Sequence, residues 1–307
     1  MAQQRLNRHG EVGHTWTNTL NKFMTTCDFT QLEQQGYLVV RDFLSRSEID
    51  WFLRDYSRMI EYSESNGYHN KNHKVAACEI PDNTFEHLNK FLAHIRQNSN
   101  FKTDFFLGQF GLYLNSELVS YDWHQDHELY YMCQHAYDVL TFWLPLDKPN
   151  RNETGLSFIP HDRLRERIPE IYDRLIFNSG AKIFRTDGTE TTIRDDTTGE
   201  VVKLDFDINE IAVSPEVGSG DLLIFRGDTI HKTQDLTTHR IAMVTRSANG
   251  NQIITRETLT GGYDLKQSKI RNSSRVFKRF FAALETVDQC ILRTAFDGEF
   301  VQKHNEK

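Results

Sequence analysis

The spacing of apolar positions divides the chain into two parts. Before residue 100, apolar side chains recur every three or four residues in 48–62 and 85–96, which predicts two amphipathic helices. A shorter helix is predicted over 29–36, because a glycine at its end suits a helix C-terminus, and a strand follows over 37–41. Residues 1–28 form a polar arm. The first third of the chain is therefore predicted to be mainly helical support.

From residue 105 the pattern changes to short apolar runs separated by turn residues. Five such runs predict strands, at 105–114, 137–146, 155–160, 221–225 and 240–246. Because no helix separates most of them, the pattern favours a mainly β barrel or double-sheet jelly roll over a parallel α/β sheet.

Two further segments complete a single predicted domain spanning residues 1–307. Residues 161–217 are charged, carry a predicted helix at 164–177, and are interpreted as an insertion that covers one end of the barrel as a lid. Residues 270–296 have helical periodicity and predict a C-terminal helix that packs against the barrel.

Composition narrows the classes of partner. A net charge of -7 argues against nucleic acid or an anionic membrane as the main partner, since both attract basic surfaces. No apolar run approaches the length of a membrane-spanning helix, and the polar start of the chain lacks the apolar core of a secretory signal. The four cysteines are scattered without a CxxC motif, so we expect free thiols in the cytoplasm.

Candidate metal ligands lie in the second part of the chain. His124 and Asp126 are two residues apart, so on a strand both side chains would point to one face. An HxD pair alone is weak evidence, but His231 follows a predicted strand and turn that could bring it to the same place. Two histidines and one carboxylate on one side of a cation form the facial triad of non-haem Fe(II) oxygenases.

Arg240 extends this hypothesis to a co-substrate. It lies nine residues after His231, at the start of the next predicted strand. A guanidinium binds a carboxylate through two parallel hydrogen bonds. An arginine in this place suits a dicarboxylic acid that chelates the metal at one end; the alternative is an ordinary surface salt bridge.

Other polar and aromatic residues near these positions are candidates of lower specificity. Gln109 and Tyr113 share a face of the strand before the HxD pair and could hydrogen-bond the co-substrate, as could Thr141. Tyr130, Tyr131 and Trp143 could line the substrate pocket. For all of these except Thr141, an ordinary place in the barrel interior explains the residue equally well. His161 is expected to support the site without binding the metal.

The order of these motifs resembles the phytanoyl-CoA dioxygenase-like branch of the Fe(II)/2-oxoglutarate-dependent oxygenases. The similar segments run from residue 29 to 246 and are 29–45, 121–126, 141–147, 153–161 and 220–240. The resemblance implies a double-stranded β-helix, Fe(II), 2-oxoglutarate and O2, with hydroxylation of a small molecule and release of succinate and CO2. This chain departs from the family pattern in two details. Arg240 lies slightly closer to His231 than in many members, and the segment at His161 lacks the usual glycine-serine.

The presence of Asp126 indicates which of the family's reactions is favoured. Related halogenases replace this carboxylate with glycine or alanine, so its presence favours hydroxylation. Two alternatives stay open: a ligand-binding barrel of the same fold without catalysis, and a cupin-type metal enzyme that does not use 2-oxoglutarate. The substrate is expected to be a free small molecule, such as an amino-acid derivative or specialised metabolite, because the charge does not favour an acyl-CoA.

Overall fold

The computed structural model describes residues 27–65, 75–115, 120–127, 129–133, 135–177, 180–235, 237–272 and 275–296. Nearly all of the predicted polar arm, residues 1–26, lies outside these ranges. Within them, no helix has the length and apolar character needed to cross a membrane.

Helices flank a core of antiparallel strands. The α-helices are α1 Phe29–Gln35, α2 Arg46–Ser65, α3 Asp82–Asn98, α4 His161–Arg167, α5 Tyr172–Phe177, α6 Arg256–Thr260, α7 Asp264–Asn272 and α8 Arg275–Ala283. The strands are β1 Tyr37–Val40, β2 Val75–Glu79, β3 Phe105–Phe106, β4 Phe110–Asn115, β5 Val139–Asp147, β6 Leu156–Ile159, β7 Lys182–Thr186, β8 Thr191–Asp195, β9 Val201–Leu204, β10 Leu222–Arg226, β11 Ile230–Thr233, β12 Ile241–Ala248, β13 Ile253–Thr255 and β14 Gln289–Ile291.

The larger sheet has the strand order β1-β10-β5-β12-β4-β2, with β3 also paired to β12. The smaller sheet consists of the pair β11-β6 and the three strands β7-β8-β9. His124 links these two groups, because it forms isolated bridges with both Ile183 and His231. Within the described ranges the pairing closes no barrel. The predicted mainly β jelly roll with helical support is confirmed.

Side chains alternate along the strands and therefore pack in two separate hydrophobic clusters, one on each face of the larger sheet. On β5, Leu140, Phe142 and Leu144 face the helices and pack in one cluster with Phe52 and Phe91. The opposite face of the larger sheet meets the smaller sheet across a second apolar cluster, which contains Trp143, Phe158, Leu223, Phe225, Ala242 and Val244. Because β5 is buried on both faces, it appears in sequence as one continuous apolar run. The space between the sheets holds the candidate site.

The 161–217 segment differs from the prediction. Instead of one helix over 164–177 it contains α4 and α5, separated at Pro169, because the residue before a proline is disfavoured in helical conformation. It also contributes three strands to the smaller sheet. Their alternation was obscured in sequence because polar residues such as Lys182, Thr191 and Asp195 occupy buried positions. The proposed closing of this segment over a substrate stays a prediction.

The predicted C-terminal helix over 270–296 is divided. Helices α7 and α8 cover its first part, but β14 then pairs with β13 and a short 3₁₀ turn follows at Arg293–Ala295. Of the apolar positions in this segment, Phe277, Phe280 and Leu284 are buried, whereas Phe281 and Val287, which the periodicity also placed on the packed face, are exposed. Pairing with β13 satisfies the backbone groups that a longer helix would have satisfied internally.

Gly36 connects the helical layer to the strand that leads to His231. It ends α1 with φ of 87°, and its carbonyl accepts hydrogen bonds from the Arg226 N–H at 2.9 Å and the Thr229 hydroxyl at 2.9 Å. A Cβ placed there would lie 2.4 Å from both His161 Cδ2 and Thr229 Oγ1. Both the backbone conformation and the close approach therefore require glycine.

We predict that Gly36→Ala lowers the free energy of unfolding by about 2–4 kcal/mol, from left-handed strain plus overpacking. Gly188→Ala is the matched control, because Gly188 has φ of 96° with nothing within 4 Å of the added Cβ, so only the strain of about 1–2 kcal/mol applies. Urea unfolding measures both. Equal losses would show that the contact with His161 and Thr229 is unimportant.

Candidate metal centre

His124 and His231 are held together by their own backbones. The His124 N–H donates to the His231 carbonyl at 3.0 Å, and the His231 N–H donates to the His124 carbonyl at 2.9 Å. This reciprocal pairing brings the two imidazole centroids to 4.3 Å. Two residues distant in sequence thus present their side chains to one point.

Asp126 completes the group that the HxD spacing predicts. Its Oδ1 lies 3.9 Å from His231 Nε2, and one ligand atom from each of His124, Asp126 and His231 lies within 4.8 Å of the others. Among the described residues these form the group suited to a metal ion. His127, His135, His161 and His239 are not in it. The geometry arises from a single bridge at His124 rather than from a regular strand.

Hydrogen bonds orient both rings. His124 Nδ1 lies 2.7 Å from the Asp122 carbonyl, and His231 Nδ1 lies 2.9 Å from the Thr229 carbonyl. A carbonyl can only accept, so each Nδ1 carries the proton and each Nε2 keeps its lone pair for a cation. Desolvation, reinforced by the neighbouring His231, lowers the pKa of His124 to about 3. The ring is therefore neutral at neutral pH, as metal binding requires.

Asp126 is ionised although it is buried. Burial alone would raise its pKa, but the Arg246 guanidinium and the two imidazoles outweigh burial and hold the pKa well below its usual value. Arg246 and Thr141 both contact Asp126 Oδ2, the latter at 2.9 Å. Thr141 thus contacts a ligand of the candidate site, whereas the sequence suggested that it would contact the co-substrate.

A buried ionic network supports the turn before His231. Arg226 Nε and Nη2 donate to the two carboxylate oxygens of Asp228 at 2.9 and 2.6 Å, and His161 Nε2 lies 3.4 Å from Asp228 Oδ1. His161 Nδ1 also lies 2.7 Å from the Tyr172 hydroxyl. His161 therefore stabilises the turn that presents His231, the supporting role expected for it.

Gln125, the middle residue of the HxD segment, connects the same turn to the metal group. Its side-chain amide donates to the Asp228 carbonyl at 2.8 Å, and its side-chain oxygen accepts from the Lys182 N–H at 3.0 Å. Gln125 was not among the site residues predicted from the sequence. Its side chain points away from the ligands, which is the position that alternation assigns to the middle residue.

Arg240 lies at the inner end of the space between the sheets. It is 1% exposed, donates from Nη1 to the Thr154 carbonyl at 2.8 Å, and lies with its guanidinium carbon 5.6 Å from the centroid of the Trp143 ring. Burial lowers the pKa of Arg240 to about 10, so it keeps its charge at neutral pH. The alternative of a surface salt bridge is wrong, since the side chain is enclosed.

Trp143 adds an unusual donor beside Arg240. Its indole Nε1 is buried without a hydrogen-bond partner among the described residues. A buried donor without a partner costs about 1–3 kcal/mol, so such donors are rare in native cores and call for an explanation. The donor lies beside a buried cation, an arrangement suited to a bound anion.

The structure does not bring the remaining candidates to the triad. Gln109 donates to the Ile80 carbonyl, and the Tyr113 hydroxyl donates to the Phe52 carbonyl and to Asp55, all on the helix-covered side of the larger sheet. The Tyr130 hydroxyl donates to the Ile176 carbonyl and that of Tyr131 to Asp196. Tyr113, Tyr130 and Tyr131 are buried, which is the core role that the sequence left open, whereas Gln109 is only partly buried. Tyr113 points to the helices because alternate positions of β4 do so.

Arg246 is the residue that sequence analysis missed. It lies six positions after Arg240, which precedes β12 by one residue, and this even spacing predicts that both arginines share the side of Ala242 and Val244. The sequence signal that could have identified Arg246 was this spacing, in a chain that also carries an HxD pair. The site therefore has a cation at each end: Arg246 beside the ligand Asp126 and Arg240 beside Trp143.

A family model and several solved structures are similar to this chain. The family model of phytanoyl-CoA dioxygenase (PhyH) matches residues 32–244. Among curated proteins, no sequence matches the chain.

Similar solved structures include the epimerase SnoN in complex with Fe³⁺, alpha ketoglutarate and nogalamycin RO, at 14% identity, with 78% of this chain and 86% of that chain covered and a TM-score of 0.46. HygX from Streptomyces hygroscopicus with nickel, 2-oxoglutarate and hygromycin B shows 15% identity, 72% and 87% coverage and a TM-score of 0.43. A Pseudomonas putida prolyl-4-hydroxylase shows 11% identity, 75% and 98% coverage and a TM-score of 0.43. The ligands named belong to those proteins.

Proposed function

We propose, because this chain belongs to the phytanoyl-CoA dioxygenase family and carries a metal-binding triad, that it is an Fe(II)- and 2-oxoglutarate-dependent dioxygenase. The proposed reaction hydroxylates a small molecule at an unactivated C–H bond, with succinate and CO2 as co-products. One observation carries the proposal: the ligand atoms of His124, Asp126 and His231 lie within 4.8 Å of one another, in an interior that also encloses Arg240.

The donor set fits Fe(II). Two neutral imidazoles and one carboxylate on the same side of a cation form the facial triad that leaves coordination positions for other ligands. The Nδ1 contacts of both rings fix which nitrogen faces the metal. Groups that hydrogen-bond a metal ligand in this way typically change metal affinity or activity by about 10–100-fold.

The interior beyond the triad fits a dicarboxylate. Thr141 contacts Asp126, and Trp143 lies two positions further along the same face of β5, about 7 Å at the usual rise of a strand. A short dicarboxylic acid extended from the metal group along this face would place its far carboxylate beside Arg240 and the unpaired Trp143 indole N–H. That carboxylate would satisfy the buried donor, which is our reason for choosing 2-oxoglutarate.

Different residues of the chain would hold the metal, orient the co-substrate and exclude water. Bound Fe(II), with 2-oxoglutarate and O2, would supply the oxidising chemistry. His124, Asp126 and His231 would hold the metal, and Arg240 with Trp143 would orient the co-substrate by its far carboxylate. The apolar cluster that includes Phe158 and Phe225 would exclude water from this interior.

The type of oxidation and the substrate are inferred from chemistry. The carboxylate of Asp126 occupies the position that a halide would need, so hydroxylation is favoured over halogenation. A net charge of -7 favours a free small molecule over an acyl-CoA or nucleic acid. We also propose a cytoplasmic protein, since the described cysteines Cys27, Cys78 and Cys290 form no disulfide.

We predict that wild-type protein supplied with Fe(II), 2-oxoglutarate and O2 releases succinate, and that a suitable metabolite stimulates the release. Asp126→Ala is expected to abolish it, because the ligand carboxylate is lost. Asp205→Ala, a change at an exposed aspartate, serves as the matched control and should retain the wild-type rate. Chromatographic measurement of succinate across a panel of amino acids and their derivatives provides the test.

Undiminished succinate release in Asp126→Ala would contradict the proposed metal site. No release by the wild type, with or without any metabolite, would instead favour the ligand-binding barrel without catalysis.

We predict that Trp143→Phe weakens binding of 2-oxoglutarate to the metal-loaded protein by roughly 10–100-fold, because a hydrogen bond to a charged group contributes about 1.5–3 kcal/mol. Arg240→Gln should weaken it further, while neither change alters metal affinity. Trp51→Phe, in helix α2, is the control. Anaerobic titration followed by the visible charge-transfer band of the iron complex measures the affinities. The cupin-type alternative requires that Arg240→Gln leave activity intact.

A further inference from the structure

The two oxygens of Asp126 have different surroundings. Oδ1 faces the imidazoles, 3.9 Å from His231 Nε2. Oδ2 accepts from the Thr141 hydroxyl at 2.9 Å, from Arg246 Nη2 at 3.2 Å and from Arg246 Nε at 3.3 Å. One oxygen is thus directed to the candidate metal position, and the other is engaged by protein donors.

The donors to Oδ2 come from the most extensively paired part of the fold. Arg246 on β12 and Thr141 on β5 are direct register partners, and these strands pair along eight positions. The Arg246 carbonyl also accepts from the Leu107 N–H at 2.9 Å. Cross-strand partners on one face lie close enough to act on a common group, so both donors hold Oδ2 from a rigid base.

The arrangement restricts how Asp126 can bind a cation. Three donor atoms lie within hydrogen-bond distance of Oδ2, and the guanidinium offsets part of its negative charge. A carboxylate can otherwise bind a metal through one or both of its oxygens. Binding through both would use one of the positions that a facial triad leaves open.

We propose that Arg246 is a positioning residue that keeps Asp126 a one-oxygen ligand and so preserves a third open metal position beside the two that 2-oxoglutarate needs. The inference rests on the proposed function, since it presupposes a metal at the triad. Without Arg246, Oδ2 keeps only the Thr141 hydroxyl and can turn onto the cation. The carboxylate then chelates through both oxygens and leaves two positions, which 2-oxoglutarate would fill, so that no third position would remain for O2.

The test uses full-length protein loaded with Mn(II), whose bound waters are counted by water-proton relaxation. Arg246→Gln removes the charge and the paired donors, whereas Arg246→Lys keeps the charge. Arg185→Gln, at an exposed position of β7, is the matched control. Thr141→Val removes the other donor and provides a second route if an Arg246 variant fails to fold. For each protein, Mn(II) affinity and the bound-water count with and without 2-oxoglutarate are measured.

We expect wild type and Arg185→Gln to carry about three exchangeable waters, the number left by three protein ligands in octahedral geometry. Arg246→Gln should lose about one of them, a fall of roughly a third in relaxivity, with Mn(II) affinity unchanged or tighter. With 2-oxoglutarate bound, wild type should keep about one exchangeable water and Arg246→Gln about none. Arg246→Lys should restore most of both water counts, and Thr141→Val should shift both in the same direction as Arg246→Gln by a smaller amount.

An unchanged water count in Arg246→Gln would overturn the proposal, whether Mn(II) affinity falls, as for a purely structural residue, or stays constant. Failure of the wild type to bind Mn(II) would contradict the proposed function itself and is therefore distinguishable.

Discussion

The backbone pairing of His124 with His231 is the interaction on which the candidate site depends. Its two hydrogen bonds, 3.0 and 2.9 Å long, join strands separated by more than a hundred residues and bring the imidazoles together. The same residue, His124, bridges to Ile183 and so connects the two parts of the smaller sheet. The metal group is therefore part of the sheet structure, and distortion of the sheet would displace a ligand.

Around this pairing, each charged group has a structural reason to be buried. Asp126 is ionised by Arg246, Asp228 is neutralised by Arg226, and Gln125 ties their segments together. Pairing is what allows such charges in an interior of low polarity. Trp143 departs from this pattern, since its indole N–H is unpaired beside the cationic Arg240. In our account that region is completed by the co-substrate, which explains why the buried indole N–H has no hydrogen-bond partner among the described residues.

Sequence alone predicted what depends on continuous local patterns. The apolar runs predicted most strands of the larger sheet, although β2 was missed, and the HxD spacing with the turn before His231 predicted three residues that the structure brings together. Strands β7 to β9 were missed because polar residues such as Lys182, Thr191 and Asp195 occupy buried positions. Two roles stayed open for Tyr113 because alternation does not say which face of the sheet meets the site. Arg246 was missed because its partner, Oδ2 of Asp126, is reached only through strand pairing. Contacts distant in sequence were thus the least predictable.

The most direct measurement is a crystal structure of the protein with Mn(II) and 2-oxoglutarate under anaerobic conditions, with the metal located by anomalous scattering. Our account predicts one metal ion bound by Nε2 of His124, Oδ1 of Asp126 and Nε2 of His231. It also predicts the far carboxylate of 2-oxoglutarate in contact with Arg240 and the Trp143 indole N–H. A metal held by other residues, or a dicarboxylate bound away from Arg240, would contradict it.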